Sequence, residues 1–184
     1  MTYYGAQDLA RSFRTVRGNT VTIAEEIGEE HYGFRATPDT RTVAELLVHI
    51  ACVPRLQTQI NAVERRTTLE GFDYQSFVAA LIAEEHAPRS KAQIVELLRN
   101  GGDSFAQWLE GVTDHFLGEA VAMPFGPVAS KTRFELILGV KEHEMHHRAQ
   151  LMLIERMLGI TPHLTRQMQA RFAAQTAAAG SKNP

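Results

Sequence analysis

Residues 132–159 read TRFELILGVKEHEMHHRAQLMLIERMLG. Thr132 and Glu135 form a T-x-x-E capping box, the signature of a helix start. Gly159 supplies a C-terminal stop and Pro162 follows it. The segment therefore predicts one long helix. On a 3.6-residue wheel, Leu136, Val140, Ile154 and Leu158 share one sector. His143, His147 and Gln150 fall within roughly 60° of one another on that same apolar stripe. His146 lies at the stripe edge, and Glu142 and Glu144 point to either side. A buried imidazole has two ring nitrogens to satisfy. Leaving one unpaired costs about 1–3 kcal/mol. Two imidazoles one turn apart on a core face need an explanation, and a shared divalent metal is one.

Outward from this helix, the same start signals recur. Thr42 and Glu45 open a helix running to about Arg66, with a kink expected at Pro54. Ser90 and Gln93 open another to about Val112, which Gly101–Gly102 interrupts. Leu9, Phe13, Val16, Ile23 and Ile27 give residues 6–28 one apolar face. Gly18–Asn19 loosens that helix in the middle and Gly28 ends it. Asp73 caps a shorter helix, 74–86. Residues 29–41 and 113–131 read as loops, residues 164–174 as helical, and the tail QTAAAGSKNP as disordered. No strand is expected. The fold class predicted is all-α, an up-and-down four-helix bundle with one extra short helix between the second and third long helices.

The chain has 184 residues, enough for one domain with a sizeable core. Net charge is −2, from 19 basic and 21 acidic residues. That offers no electrostatic basis for binding nucleic acid or an anionic membrane. No apolar run approaches the roughly 20 residues needed to span a bilayer. The first residues carry no signal-like apolar region. A lone cysteine, Cys52, gives no intramolecular disulfide. A cytoplasmic protein is expected.

The second helix, TVAELLVHIACVPRLQTQI, places His49 on an apolar stripe with Leu46, Val53, Leu56 and Ile60. If this helix faces the last one, His49, His143 and His147 meet. Three histidines with an open position is a catalytic pattern for zinc, and imidazole also suits nickel, iron and copper. Taken alone, His49 reads better as a core histidine donating to a backbone carbonyl, and the H-x-x-x-H pair as core or boundary histidines satisfied by backbone or water; the three together favour the metal. His143–His147 also satisfies H-E-x-x-H, which would make Glu144 a general base. Zincins set that helix beside a sheet, which argues against it here. Cys52 reads as a small buried hydrophobe, Phe105 and Trp108 as core, and His31, His86, His115 and His163 as surface. A helix-turn-helix reading of the second helix fails on charge, since only Arg55 would serve recognition.

The runs FRATPDTRTVAELLVHIA and HEMHHRAQLMLIERMLGITP, in this order and this far apart, carry a resemblance. The chain resembles the DinB-type (damage-inducible, YfiT-like) four-helix-bundle metalloenzymes over about residues 6–163. The resemblance implies a DinB-like domain over residues 1–164 and an extension over 165–184. It implies a divalent metal held by His49, His143 and His147, with zinc or nickel first and iron, cobalt or manganese as alternatives. Gln150 would contact or orient a ligand there. Relatives include transferases that use low-molecular-weight thiols, so the implied activity is a thiol-dependent S-transferase or a related metal-assisted transferase or hydrolase on a small-molecule substrate. The alternative is a non-catalytic metal-binding stress-response bundle, and a homodimer is compatible with either. The chain departs from the commonest pattern at Ala149, where many relatives carry Gly. Residues 67–90 lie outside the pattern.

Overall fold

A computed structural model describes residues 4–124 and 126–180. Four long helices form the bundle: α1 (Ala6–Glu26), α2 (Val43–Cys52), α5 (Lys91–Glu110) and α7 (Arg133–Met157). Between them lie α3 (Pro54–Thr58), α4 (Tyr74–His86) and α6 (Asp114–Gly118). α8 (His163–Gly180) follows the bundle. No helix among the described residues is long and apolar enough to cross a membrane.

The capping residues act as the sequence implies. The hydroxyls of Thr42, Ser90 and Thr132 accept from the backbone amides three residues on, and each third residue returns a side-chain bond. The Asp73 carboxylate caps α4. α7 ends at Gly159, whose φ of +79° is the left-handed conformation that glycine takes freely.

Helix directions follow from cross-helix pairs. Arg14 reaches Asp103 and Glu110, while Glu25 pairs with Arg99, so α1 and α5 are antiparallel. Ser12 meets Lys141 and Thr20 meets Glu144, so α1 and α7 are parallel. α2 runs against α7, with His49 beside His143. The order is up, down, down, up. Two successive long helices running the same way require a connection that returns the length of the bundle. Residues 64–90 are that connection, and α4 within it packs on α2.

Pro54 breaks the second helix as expected. α2 ends at Cys52, α3 starts at Pro54, and a π-helical turn, Gln59–Val63, follows. Proline has no N–H for the Ile50 carbonyl four residues back. Arg17 Nη2 donates to that carbonyl instead, at 3.2 Å. Arg17 Nη1 donates to Leu98 O at 2.7 Å, and its Nε and Nη2 donate to the Glu144 carboxylate at 2.9 Å each. Thr20 adds a 2.7 Å bond to Glu144. One buried guanidinium thus joins α1, α2, α5 and α7.

Five expectations are corrected. Gly101–Gly102 does not interrupt α5; a Cβ on Gly102 would come within 2.6 Å of Arg17 Cγ, so the glycine makes room for the arginine. Gly18–Asn19 leaves α1 intact, and the helix stops at Ile27, extended at ψ 124°, rather than Gly28. The loop 113–131 contains α6 and a two-stranded antiparallel hairpin, β1 (Ala120–Ala122) and β2 (Ser130–Thr132). Three-residue strands are too short to display alternation. α8 continues through residues 175–180 of the supposedly disordered tail, because its alanines have the highest helix propensity; residues 181–184 lie outside the described residues. His163 is buried, with Nε2 3.2 Å from Asn19 Oδ1, and it anchors α8 beside the Glu26–Arg166 ion pair.

Breaking the buried Arg17–Glu144 pair by Arg17→Ala is expected to cost about 3–5 kcal/mol, since it strands a buried charge. Arg17→Ala combined with Glu144→Ala should cost clearly less than the two single losses added. Urea denaturation of the four proteins measures this coupling, and strict additivity would show that the pair does not couple the helices.

Candidate metal centre

α2 and α7 cross so that three imidazoles face one point. His143 Nε2 stands 3.2 Å from His49 Nε2 and 3.2 Å from His147 Nε2. One ligating nitrogen from each ring lies within 4.8 Å of the other two. His147 is buried and His49 and His143 are half-buried.

The outer nitrogens fix what the inner ones present. His49 Nδ1 is 2.7 Å from Glu85 Oε1, and an ionised carboxylate only accepts. His49 is therefore protonated on Nδ1, and its Nε2 lone pair points inward. His147 Nδ1 is 2.8 Å from Gln150 Oε1, which again leaves an Nε2 lone pair inside. Two lone pairs thus face His143 Nε2, and a single proton there serves only one of them. A cation at this point satisfies all three nitrogens, so the donor set fits a divalent metal. His143 Nδ1 has no partner among the described residues.

Glu85 is itself held. It is buried on α4, and its Oε2 accepts from Arg41 Nε at 2.6 Å. Arg41–Glu85–His49 is the carboxylate–histidine arrangement that orients metal ligands and raises their basicity. Sequence reading missed this link. Its signal was present: Val78, Leu81, Ile82 and Glu85 share the face of α4 turned to α2, so Glu85 is an acid on an apolar stripe. Arg17 carries the same signal on α1, between Phe13 and Thr20.

The remaining candidates separate cleanly. Gln150 contacts His147, and its Nε2 is 3.4 Å from His146 Nε2; His146 itself is exposed. Cys52 is buried in the core among Leu47, Val48 and Ile50, and burial pushes its thiol pKa up. Glu144 does not point to the surface, and its pairing with Arg17 and Thr20 removes it as a general base. His86 and His115 are exposed and His31 is half-buried. Phe105 is buried and Trp108 packs against it.

Two cavities adjoin the triad. One, of about 400 Å³, is lined by His49, His143, Leu56 and Val140. The other, of about 730 Å³, is lined by His147, Gln150, Leu153 and Ile154. Both share a wall of Arg41, Ile82 and Glu85.

The sequence profile of the DinB superfamily matches residues 12–151. The chain belongs to the DinB superfamily. Solved structures share the fold. A DinB-like protein of Bacillus cereus is 17% identical, at a TM-score of 0.67 over 88% of this chain and 97% of its own. A DinB-like protein of Bacillus subtilis, YjoA, is 20% identical, at 0.60 over 83% and 93%. YfiT of Bacillus subtilis, described as a probable metal-dependent hydrolase with an unusual four-helix bundle topology, is 14% identical, at 0.66 over 88% and 91%. No curated protein sequence matches. In this DinB chain the triad spans the two segments whose pattern resembles the family.

Burial pushes the pKa of all three imidazoles down, that of His143 to about 4, and the neighbouring cationic groups add to the shift. An unfolded histidine titrates near about 6.5. The unfolded chain therefore takes up protons first as pH falls. The contribution of the neutral cluster is full above about 6.5 and is lost as pH drops from there toward 4. Chelator-treated protein should show a falling melting temperature from pH 7.5 to pH 5. Glu155, buried and pushed up to about 7, acts in the opposite direction, so His143→Gln is the reference that isolates the cluster. Equal slopes in the two proteins would show that the cluster does not titrate this way.

Proposed function

We propose that this DinB chain is a metal-dependent enzyme acting on a small molecule, with His49, His143 and His147 holding one divalent metal. The observation that carries this reading is the openness of the centre. Cys52 and His146, the side chains that would close a fourth position, stand elsewhere. A storage or sensor site would be closed; here cavities reach the triad from both sides.

Such a metal supplies Lewis-acid polarisation and lowers the pKa of a water or thiol that it holds. The chain's own residues supply position. Glu85 fixes the His49 tautomer, and Gln150 fixes that of His147 and can turn its amide toward a ligand. Among the described residues, no carboxylate lining the cavities is without a partner. Glu85 serves His49 and Arg41, Glu45 and Glu135 cap helices, and Asp39 accepts from Thr37. With every cavity carboxylate already engaged, the favoured nucleophile is one that ionises readily. A thiol starts near a pKa of about 8.5 and a bulk water near about 15.7. We therefore favour a thiol-dependent S-transferase over a hydrolase. Three imidazoles suit zinc or nickel, the metals that the family resemblance puts first.

Elemental analysis by mass spectrometry should find close to one metal per chain. Each of His49→Ala, His143→Ala and His147→Ala should lose most of it while keeping the helical circular dichroism signal. Full occupancy in any of the three removes that residue from the site. In the cobalt-loaded protein, a small thiol should produce a sulfur-to-metal charge-transfer band; its absence with every thiol tried returns the reading to hydrolysis.

Glu85→Gln keeps size but weakens the hold on His49 Nδ1. Metal affinity should drop about 10- to 100-fold, the range for carboxylates that support ligand histidines. Competition with a chromophoric chelator measures it, and an unchanged affinity would show that Glu85 does not support the site.

A further inference from the structure

Among the described residues, Arg41 is the one arginine or lysine that lines both cavities. Its charge acts on His49, His143 and His147 alike. The side chain is 38% exposed, so it is neither a core group nor a free surface arm. A guanidinium has five N–H donors in a fixed fork. Arg41 Nε donates to Glu85 Oε2 at 2.6 Å, and Nη2 has only a long contact of 3.4 Å to Oε1. Neither hydrogen of Nη1 has a protein partner among the described residues, and neither does the second hydrogen of Nη2. The Glu85 anchor thus holds the guanidinium by one edge and leaves its Nη side free.

Two further cations line the cavities, and the carboxylates beside them are engaged by partners within the fold. The cavity carboxylates already have the partners given above. Arg35 lines the larger cavity and Lys131 the smaller. The free Nη side of Arg41 is donor capacity that Glu85, its carboxylate partner, does not take up. Away from this edge the walls are apolar, with Val53, Leu56, Val78 and Leu81 in one cavity and Leu46, Leu153 and Ile154 in the other.

We propose that Arg41 is the anion-binding residue of this cleft, and that the ligand processed beside the three histidines carries a carboxylate or phosphate on an otherwise apolar or thiol-bearing body. This rests on the reading of the triad as a metal centre. A planar fork matches either oxyanion through two parallel hydrogen bonds, which a lysine cannot reproduce. The carboxylate belongs either to the thiol itself or to a second substrate.

The test compares 3-mercaptopropionate with 2-mercaptoethanol, and propionate with propionamide, by isothermal titration calorimetry of the metal-loaded protein. Each anionic compound should bind about tenfold more tightly than its neutral counterpart, or better. Compared at matched metal content, since Arg41 also holds Glu85, Arg41→Gln should abolish that preference. Arg41→Lys should keep only part of it. Should Arg41→Gln lose metal through Glu85, the comparison with Arg41→Lys at matched metal content still decides. If mercaptopropionate gains over mercaptoethanol while propionate does not bind alongside mercaptoethanol, the carboxylate belongs to the thiol. If propionate and mercaptoethanol bind together, it belongs to the second substrate. Either result upholds the anion site. Equal affinities for anionic and neutral compounds, or a preference that survives Arg41→Gln, overturn it. Propionate titrated into His143→Ala separates the two levels. Arg41-dependent binding there upholds the anion site even if the metal reading fails, whereas thiol binding without any anion preference leaves the metal reading standing and sinks this one.

Discussion

A single buried arginine sets the geometry on which the centre depends. Arg17 spends its donors on the Ile50 carbonyl of α2, the Leu98 carbonyl of α5 and the Glu144 carboxylate of α7. A buried guanidinium tolerates no slack, because each unmet donor leaves a desolvation penalty uncompensated. Glu144 follows His143 directly, and its bond to α1 fixes the rotation of α7 about its own axis. Ile50 follows His49, and its bond fixes α2 in the same frame. The residues beside His49 and His143 are clamped to one point, and the imidazoles thereby face one another.

Two residues that look like defects make this clamp feasible. Pro54 removes a donor from the second helix, and the carbonyl so freed is the one Arg17 uses. Gly102 lacks a side chain where the Arg17 stem passes. Each would weaken a helix taken alone. Together they let four helices share one cation, a local cost offset by a global contact.

The crossover that topology demands also contributes chemistry. Because α2 and α5 run the same way, the chain must travel the bundle's length between them, and α4 is laid along α2 on the way. That placement brings Glu85 to His49 and makes the wall shared by both cavities. A bundle of strictly alternating direction would have joined α2 to α5 by a short turn and left His49 Nδ1 without its carboxylate.

The sequence by itself determined the helices and the ligand candidates. Capping boxes at Thr42, Ser90 and Thr132 are local chemistry, legible within four residues. The placing of His49, His143 and His147 on apolar stripes follows from the 3.6-residue period alone. The short hairpin and the continuity of α5 were not legible, since three-residue strands show no period and a glycine pair looks the same whether it breaks a helix or admits a neighbour. Only the tertiary structure decided which residues stand behind the three imidazoles. Arg17, Glu85 and Arg41 are charges on or beside apolar faces, and their partners lie 127, 36 and 44 residues away in the chain. Pairing over such separations depends on helix direction and crossing, which no local pattern encodes.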